Sequence, residues 1–125
     1  MERHVYQIEF FDDSKSPDLE KRRVGSHFWI IANDSDGDSR LSFCKDNWGT
    51  RADHFVSEDG YVETVRAVKG NDLNRLMQLC DYSENVTQVA DYIYKRFFPD
   101  GDSAYLHILD WLEENHIETS FWCWS

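Results

Sequence analysis

Up to about Lys69 the apolar positions recur with a period near two, and beyond it with a period near 3.6, so the chain reads as a strand-rich part followed by a helical part. Val5 to Phe11, interrupted by Gln7 and Glu9, predicts a first strand. Asp12 to Gly25, with Pro17 and mixed charge, has neither period and predicts a loop. His27 to Asn33 is rich in β-branched and aromatic residues and runs into Asp36-Gly37, a dipeptide suited to a tight hairpin turn because glycine accepts positive φ; Arg40 to Lys45 is then the returning strand. A second hairpin is expected from His54-Phe55-Val56 through Asp59-Gly60 into Tyr61 to Val68.

Three helical stripes follow. Leu73, Leu76, Met77 and Cys80 lie at i, i+3, i+4 and i+7 behind Asn71 or Asp72 as N-cap. Val86, Val89, Ala90, Ile93, Tyr94 and Phe97 form a longer stripe that stops before Pro99, since the residue preceding proline is pushed out of the helical region. Ser103 is a candidate cap for a third helix whose buried row is Tyr105, Ile108, Leu109 and Leu112. Ile117 to Trp124 has the composition of a last strand. The fold expected is α+β: an antiparallel sheet of about five or six strands, with two Asp-Gly hairpins plus first and last strands, packed against three helices in one acidic domain spanning residues 1–125.

Composition narrows the functional classes. Five Trp, six Tyr and eight Phe in 125 residues, with 41% hydrophobic content, exclude a disordered acidic tail despite a net charge of −11. No apolar run approaches the roughly 18 residues of a membrane helix, and Glu2 and Glu9 interrupt the start, so a cytoplasmic protein away from the membrane is expected. The three cysteines, Cys44, Cys80 and Cys123, are odd in number and widely spaced, which fits buried reduced thiols rather than a disulfide framework or a four-ligand zinc site. The glycosylation-type triplet Asn85-Val86-Thr87 has no export signal beside it.

Catalytic and cofactor chemistry finds little support. Asn33 to Asp38 looks like a calcium loop, but with Gly37 at the sixth position the first ligand falls on Ala32 and the twelfth on Phe43. His4, His27, His54, His107 and His116 show no HxH or HExxH spacing, so no metal site is expected. Cys44 with His54 needs the fold to join them, and neighbours in a strand face opposite ways, so Asp53 does not buttress His54. The six glycines are scattered, without a phosphate loop, and the one basic cluster, Lys21-Arg22-Arg23, sits beside Asp18 and Glu20, which disfavours direct nucleic-acid binding. Neither an enzyme nor a cofactor is expected.

The acids are unevenly placed. Ser26 to Gly60 carries Asp34, Asp36, Asp38, Asp46, Asp53, Glu58 and Asp59 against Arg40, Lys45 and Arg51. Gly101 to Ser125 carries Asp102, Asp110, Glu113, Glu114 and Glu118 and no Lys or Arg. Asp110, Glu113 and Glu114 share one helix face, where like charges cost a few tenths of a kcal/mol per pair, so helix stability does not account for them. A surface of this kind complements a basic partner, speeding encounter and rejecting wrong partners. Trp48, Trp111, Trp122 and Trp124 lie near these stretches; at least two belong in a core, while an exposed one ringed by acids makes a binding anchor. The partner surface expected is therefore Asp34, Asp36, Asp38, Asp46, Trp48, Asp53, Glu58 and Asp59 together with Asp110, Trp111, Glu113 and Glu114.

Size, acidity and the lack of a catalytic motif fit a small inhibitor that occludes a basic protein such as a nuclease or toxin domain. By composition alone, the nearest class is the bacterial immunity proteins that neutralise nuclease toxins. A phage-encoded inhibitor of a host defence nuclease uses the same physics, and an intracellular adaptor domain with an acidic surface is the alternative of a different class. Oligomeric state is not legible.

Overall fold

Five strands form one antiparallel sheet in the computed structural model, which describes residues 4–34, 38–49, 61–81 and 85–124. The strands are β1 (His4–Asp12), β2 (Gly25–Asp34), β3 (Arg40–Trp48), β4 (Tyr61–Lys69) and β5 (Ser120–Trp124), ordered in space as in sequence. A short helix α1 (Leu19–Arg23) joins β1 to β2, and α2 (Gly70–Leu79), α3 (Val86–Phe97) and α4 (Ala104–Glu114) lie between β4 and β5. This is the α+β sheet-and-helix architecture that the two periodicities predict. No helix among the described residues is long and apolar enough to cross a membrane.

The sheet is covered on one face. Phe28, Ile30 and Ala32 alternate along β2 with His27, Trp29 and Ile31, and the first set is buried against the helices while the second is half-buried on the opposite, open face. Leu41 and Phe43 of β3, Val68 of β4, Leu73 and Leu76 of α2, and Val86, Val89, Ala90, Ile93 and Phe97 of α3 complete the core. Phe28 lies at its centre, stacked on Phe10 with ring centroids 4.5 Å apart and 5.2 Å from the Tyr105 ring.

Several local expectations change. The segment from Asp12 to Gly25 contains a 3-10 turn (Asp13–Lys15) and α1, because Asp12 accepts from the Ser14 N–H and Asp18 from the Glu20 N–H, each supplying an N-cap. Gly25 closes this turn tightly: a Cβ there would collide with the Lys21 carbonyl and meet Asp13 Cβ at 2.7 Å. At the second hairpin, β3 runs on to Trp48 and pairs with β4 throughout, Trp48 opposite Tyr61, while β5 occupies the other edge of β4 from Glu63 to Ala67. His54-Phe55-Val56, expected as the first arm of that hairpin, and its Asp59-Gly60 turn lie outside the described residues.

The helix caps also differ. Helix α2 begins at Gly70 behind Lys69, so Asn71 and Asp72 fall in its first turn, and Asp72 instead accepts the Glu118 N–H at 3.0 Å across the fold. Asn85 caps α3 through the Gln88 N–H, which gives the Asn85-Val86-Thr87 triplet a structural role. Ser103 occupies the cap position of α4 without a side-chain cap bond. At its far end His116 takes φ 58°, and the His116 and Ile117 N–H groups bond back to the Glu113 and Leu112 carbonyls. That closing turn buries Ile117 and delays β5 to Ser120.

Strand β1 is tied to α3 by the Tyr6 hydroxyl, which donates to Asp91 Oδ1 at 2.6 Å. This bond, then burial and the Asp91 charge, push the Tyr6 pKa up to about 12. The folded value lies above the unfolded one, so the contribution is complete below about pH 10 and fades as pH rises from there towards 12. We predict that Tyr6→Phe lowers stability by about 1–2 kcal/mol at neutral pH, as expected for a partly solvated bond to a charged group. Urea titrations at pH 7 and pH 11 check it: the difference between the two proteins should shrink at the higher pH.

Candidate functional site

Among the described residues the expected acids do not form one surface: Asp110, Glu113 and Glu114 lie on α4, Asp46 on the open face of the sheet, and Asp34 and Asp38 beside the β2–β3 turn. On α4, Asp110, Glu113 and Glu114 are exposed on the side of the helix turned away from the sheet, and none makes an ion pair among the described residues. An open groove runs beside them, lined by Leu106, Leu109, Asp110, Glu113, Glu118 and Arg66. Leu106 is 62% exposed and Phe121, one edge-strand residue further out, is 51% exposed. The Arg66 guanidinium lies 4.5 Å over the Phe121 ring and Nη1 donates to Thr119 Oγ1 at 3.5 Å, so this cation is committed to the groove wall. The result is a mixed groove in which Leu106 and Leu109 lie among the carboxylates of Asp110, Glu113 and Glu118, with Arg66 and His116 also in its lining.

The second surface is the open face of the sheet. Cross-strand register places Asp12, His27, Asp46 and Glu63 in one row, with Glu9, Trp29, Cys44, Val65 and Trp122 in the next. His27 Nε2 lies 3.1 Å from Glu9 Oε2, and the imidazole stacks on the Trp29 ring at 4.2 Å between centroids. Burial raises the Asp12 pKa, but the Ser14 hydroxyl and N–H, with His27 and Lys15, outweigh it and hold the carboxyl below its usual range. Burial and the facing Asp46 raise Glu63 above its usual value. Burial, then Glu63 and Asp46, push the Cys44 thiol up to about 12, so the thiolate that a nucleophile needs is scarce at neutral pH. Cys80 is buried as expected of a structural thiol, whereas Cys123 is exposed.

The other expected contacts are distributed as follows. Asp34 accepts the Ser39 hydroxyl at 3.1 Å and Asp38 pairs with Arg40 at 2.7 Å, so both brace the approach to the β2–β3 turn. Asp46 lies half-buried in the open face, and Trp48 is half-buried with Nε1 donating to the Arg22 carbonyl at 3.0 Å, which fastens β3 to α1. Asp36, Asp53, Glu58 and Asp59 lie outside the described residues. Trp111 is a correction: it is 8% exposed and packs on Phe97 at 5.5 Å, so it is core and not an exposed anchor. Its place is explicable, since it falls three residues after Ile108 and seven after Ala104, on one helical stripe.

The sequence reading missed Leu106, Phe121, Glu9, Asp12, His27, Trp29 and Glu63. Leu106 was detectable as the apolar residue off the third helix's stripe, whereas Asp12 was not, because its parity with Glu9 depends on a bulge. No known family, curated protein or solved structure matches the chain.

Proposed function

We propose that the protein is a small acidic inhibitor that binds and occludes a basic protein, and that it acts as an immunity protein neutralising a bacterial nuclease toxin. The observation that carries this reading is the α4 face: three exposed carboxylates at mutually adjacent positions, beside the exposed Leu106, in a stretch from Gly101 to Ser125 without Lys or Arg. Such a face costs helix stability and offers complementarity to cations in return. Occlusion follows from simple physics: carboxylates occupy positions that substrate phosphates take in a basic groove, while Leu106 and Phe121 supply desolvated contact at the centre.

Asp110→Lys combined with Glu114→Lys is expected to leave thermal unfolding nearly unchanged and to slow association with a basic nuclease domain by about tenfold or more, with a correspondingly reduced dependence on salt. Stopped-flow association and nuclease inhibition, measured at low and high salt over a panel of purified basic nuclease domains, provide the test. Equal association rates for the double variant and the parent would show that these acids only solvate the helix.

A further inference from the structure

Glu9 and Asp12 are three residues apart, an odd spacing that in a regular strand sends two side chains to opposite faces. In β1 the register shifts between Glu9 and Phe11: Glu9 faces Trp29 while Phe11 faces Phe28, leaving Phe10 as the extra residue of a β-bulge. The bulge returns Asp12 to the open face, directly opposite His27. One ligand-type atom from each of Glu9, Asp12 and His27 then lies within 4.8 Å of the others. The three residues come from edge strand β1 and its neighbour β2, at the last pairs of their ladder, and the imidazole plane is held by its stack on Trp29.

We propose that Glu9, Asp12 and His27 form a binding site for a divalent transition metal of the zinc class. The donor set is one imidazole nitrogen and two carboxylate oxygens, which suits borderline cations; Ca²⁺ and Mg²⁺ prefer sets made entirely of oxygen. The spacing suits it as well. Two tetrahedral ligands each about 2.0–2.2 Å from a metal are roughly 3.4 Å apart, close to the 3.1 Å between His27 Nε2 and Glu9 Oε2. Asp12 Oδ1 is held by the Ser14 N–H and hydroxyl, so Oδ2, which lies 3.7 Å from Lys15 Nζ, is the oxygen left for a metal, and closure of the remaining distances falls to the exposed Glu9 side chain. Three protein ligands leave a fourth position for water or for a group on another molecule. The site lies on the sheet face away from α4, so it stands or falls independently of the inhibitor reading.

The test uses the full chain after treatment with a chelator. Isothermal titration with Zn²⁺ alone and with Co²⁺ alone should show one equivalent bound, and bound Co²⁺ should show visible absorption of a low-coordinate nitrogen and oxygen site. His27→Gln should weaken binding by at least about tenfold. Glu9→Gln, at an exposed position that leaves packing untouched, should do the same if the histidine variant is poorly folded. His107→Gln, removing the imidazole beside Asp100, should leave affinity unchanged. No stoichiometric binding, binding that survives both His27→Gln and Glu9→Gln, or a preference for Ca²⁺ or Mg²⁺ over Zn²⁺ would overturn the assignment.

Discussion

Trp111→Ala is expected to lower the unfolding free energy by about 3–5 kcal/mol, the range for removing a large aromatic side chain from a packed interior. The residue is 8% exposed, its ring meets Phe97 at 5.5 Å, and the Arg96 guanidinium covers it at 5.3 Å. Truncation removes the ring contact with Phe97 and the guanidinium contact with Arg96 and leaves a void where α3 and α4 pack, which neighbours close only in part. Denaturation in urea reads the loss as a fall in midpoint at constant slope. A loss below about 1 kcal/mol, typical of surface substitutions, would return Trp111 to the solvent face and restore it as a candidate contact for a partner.

Ile93→Ala should cost about 2–5 kcal/mol, and the upper half of that range is expected because the side chain is fully buried in the middle of α3. Helix α3 packs over β1, β2 and β3, so a cavity at Ile93 opens beneath the broadest part of the helical layer. Ile93→Val, which deletes one methyl group, should cost about 0.5–1.5 kcal/mol at the same site. If the two substitutions gave equal small losses in chemical denaturation, the buried face of α3 would have to be assigned to other residues.

These two residues mark how far the chain could be read in advance. Ile93 belongs to a stripe whose spacing is visible in any helical projection, and the same holds for Leu73, Leu76, Val86, Val89 and Ile108, all buried. Trp111 obeys the same geometry, but its position among acids invites an interface assignment, and local pattern cannot rank one aromatic on a broad stripe against another. The exposed carboxylates of α4 were legible for the complementary reason: positions three and four apart on a helix share a face, and the other face was already occupied by apolar residues. Asp34 and Asp38 show the converse, since acids near a turn are as readily used to brace it, as their bonds to Ser39 and Arg40 do.

By itself the sequence determined the class of the fold, the buried stripes of the helices, most positions of the first two strands and the acidic face of α4. Each depends on backbone periodicity and near neighbours, which act over a few residues. Tertiary structure decided the rest. Strand β4 takes β3 as its partner over its whole length, a choice made by long-range ladder bonds that no short segment encodes. The bulge at Phe10 turns Asp12 towards His27, and so an open-face cluster appears from residues that are scattered in the chain. Trp48 is claimed by the Arg22 carbonyl and Trp111 by Phe97, because burial is settled by what a fold brings opposite a side chain, and sequence position alone does not specify that.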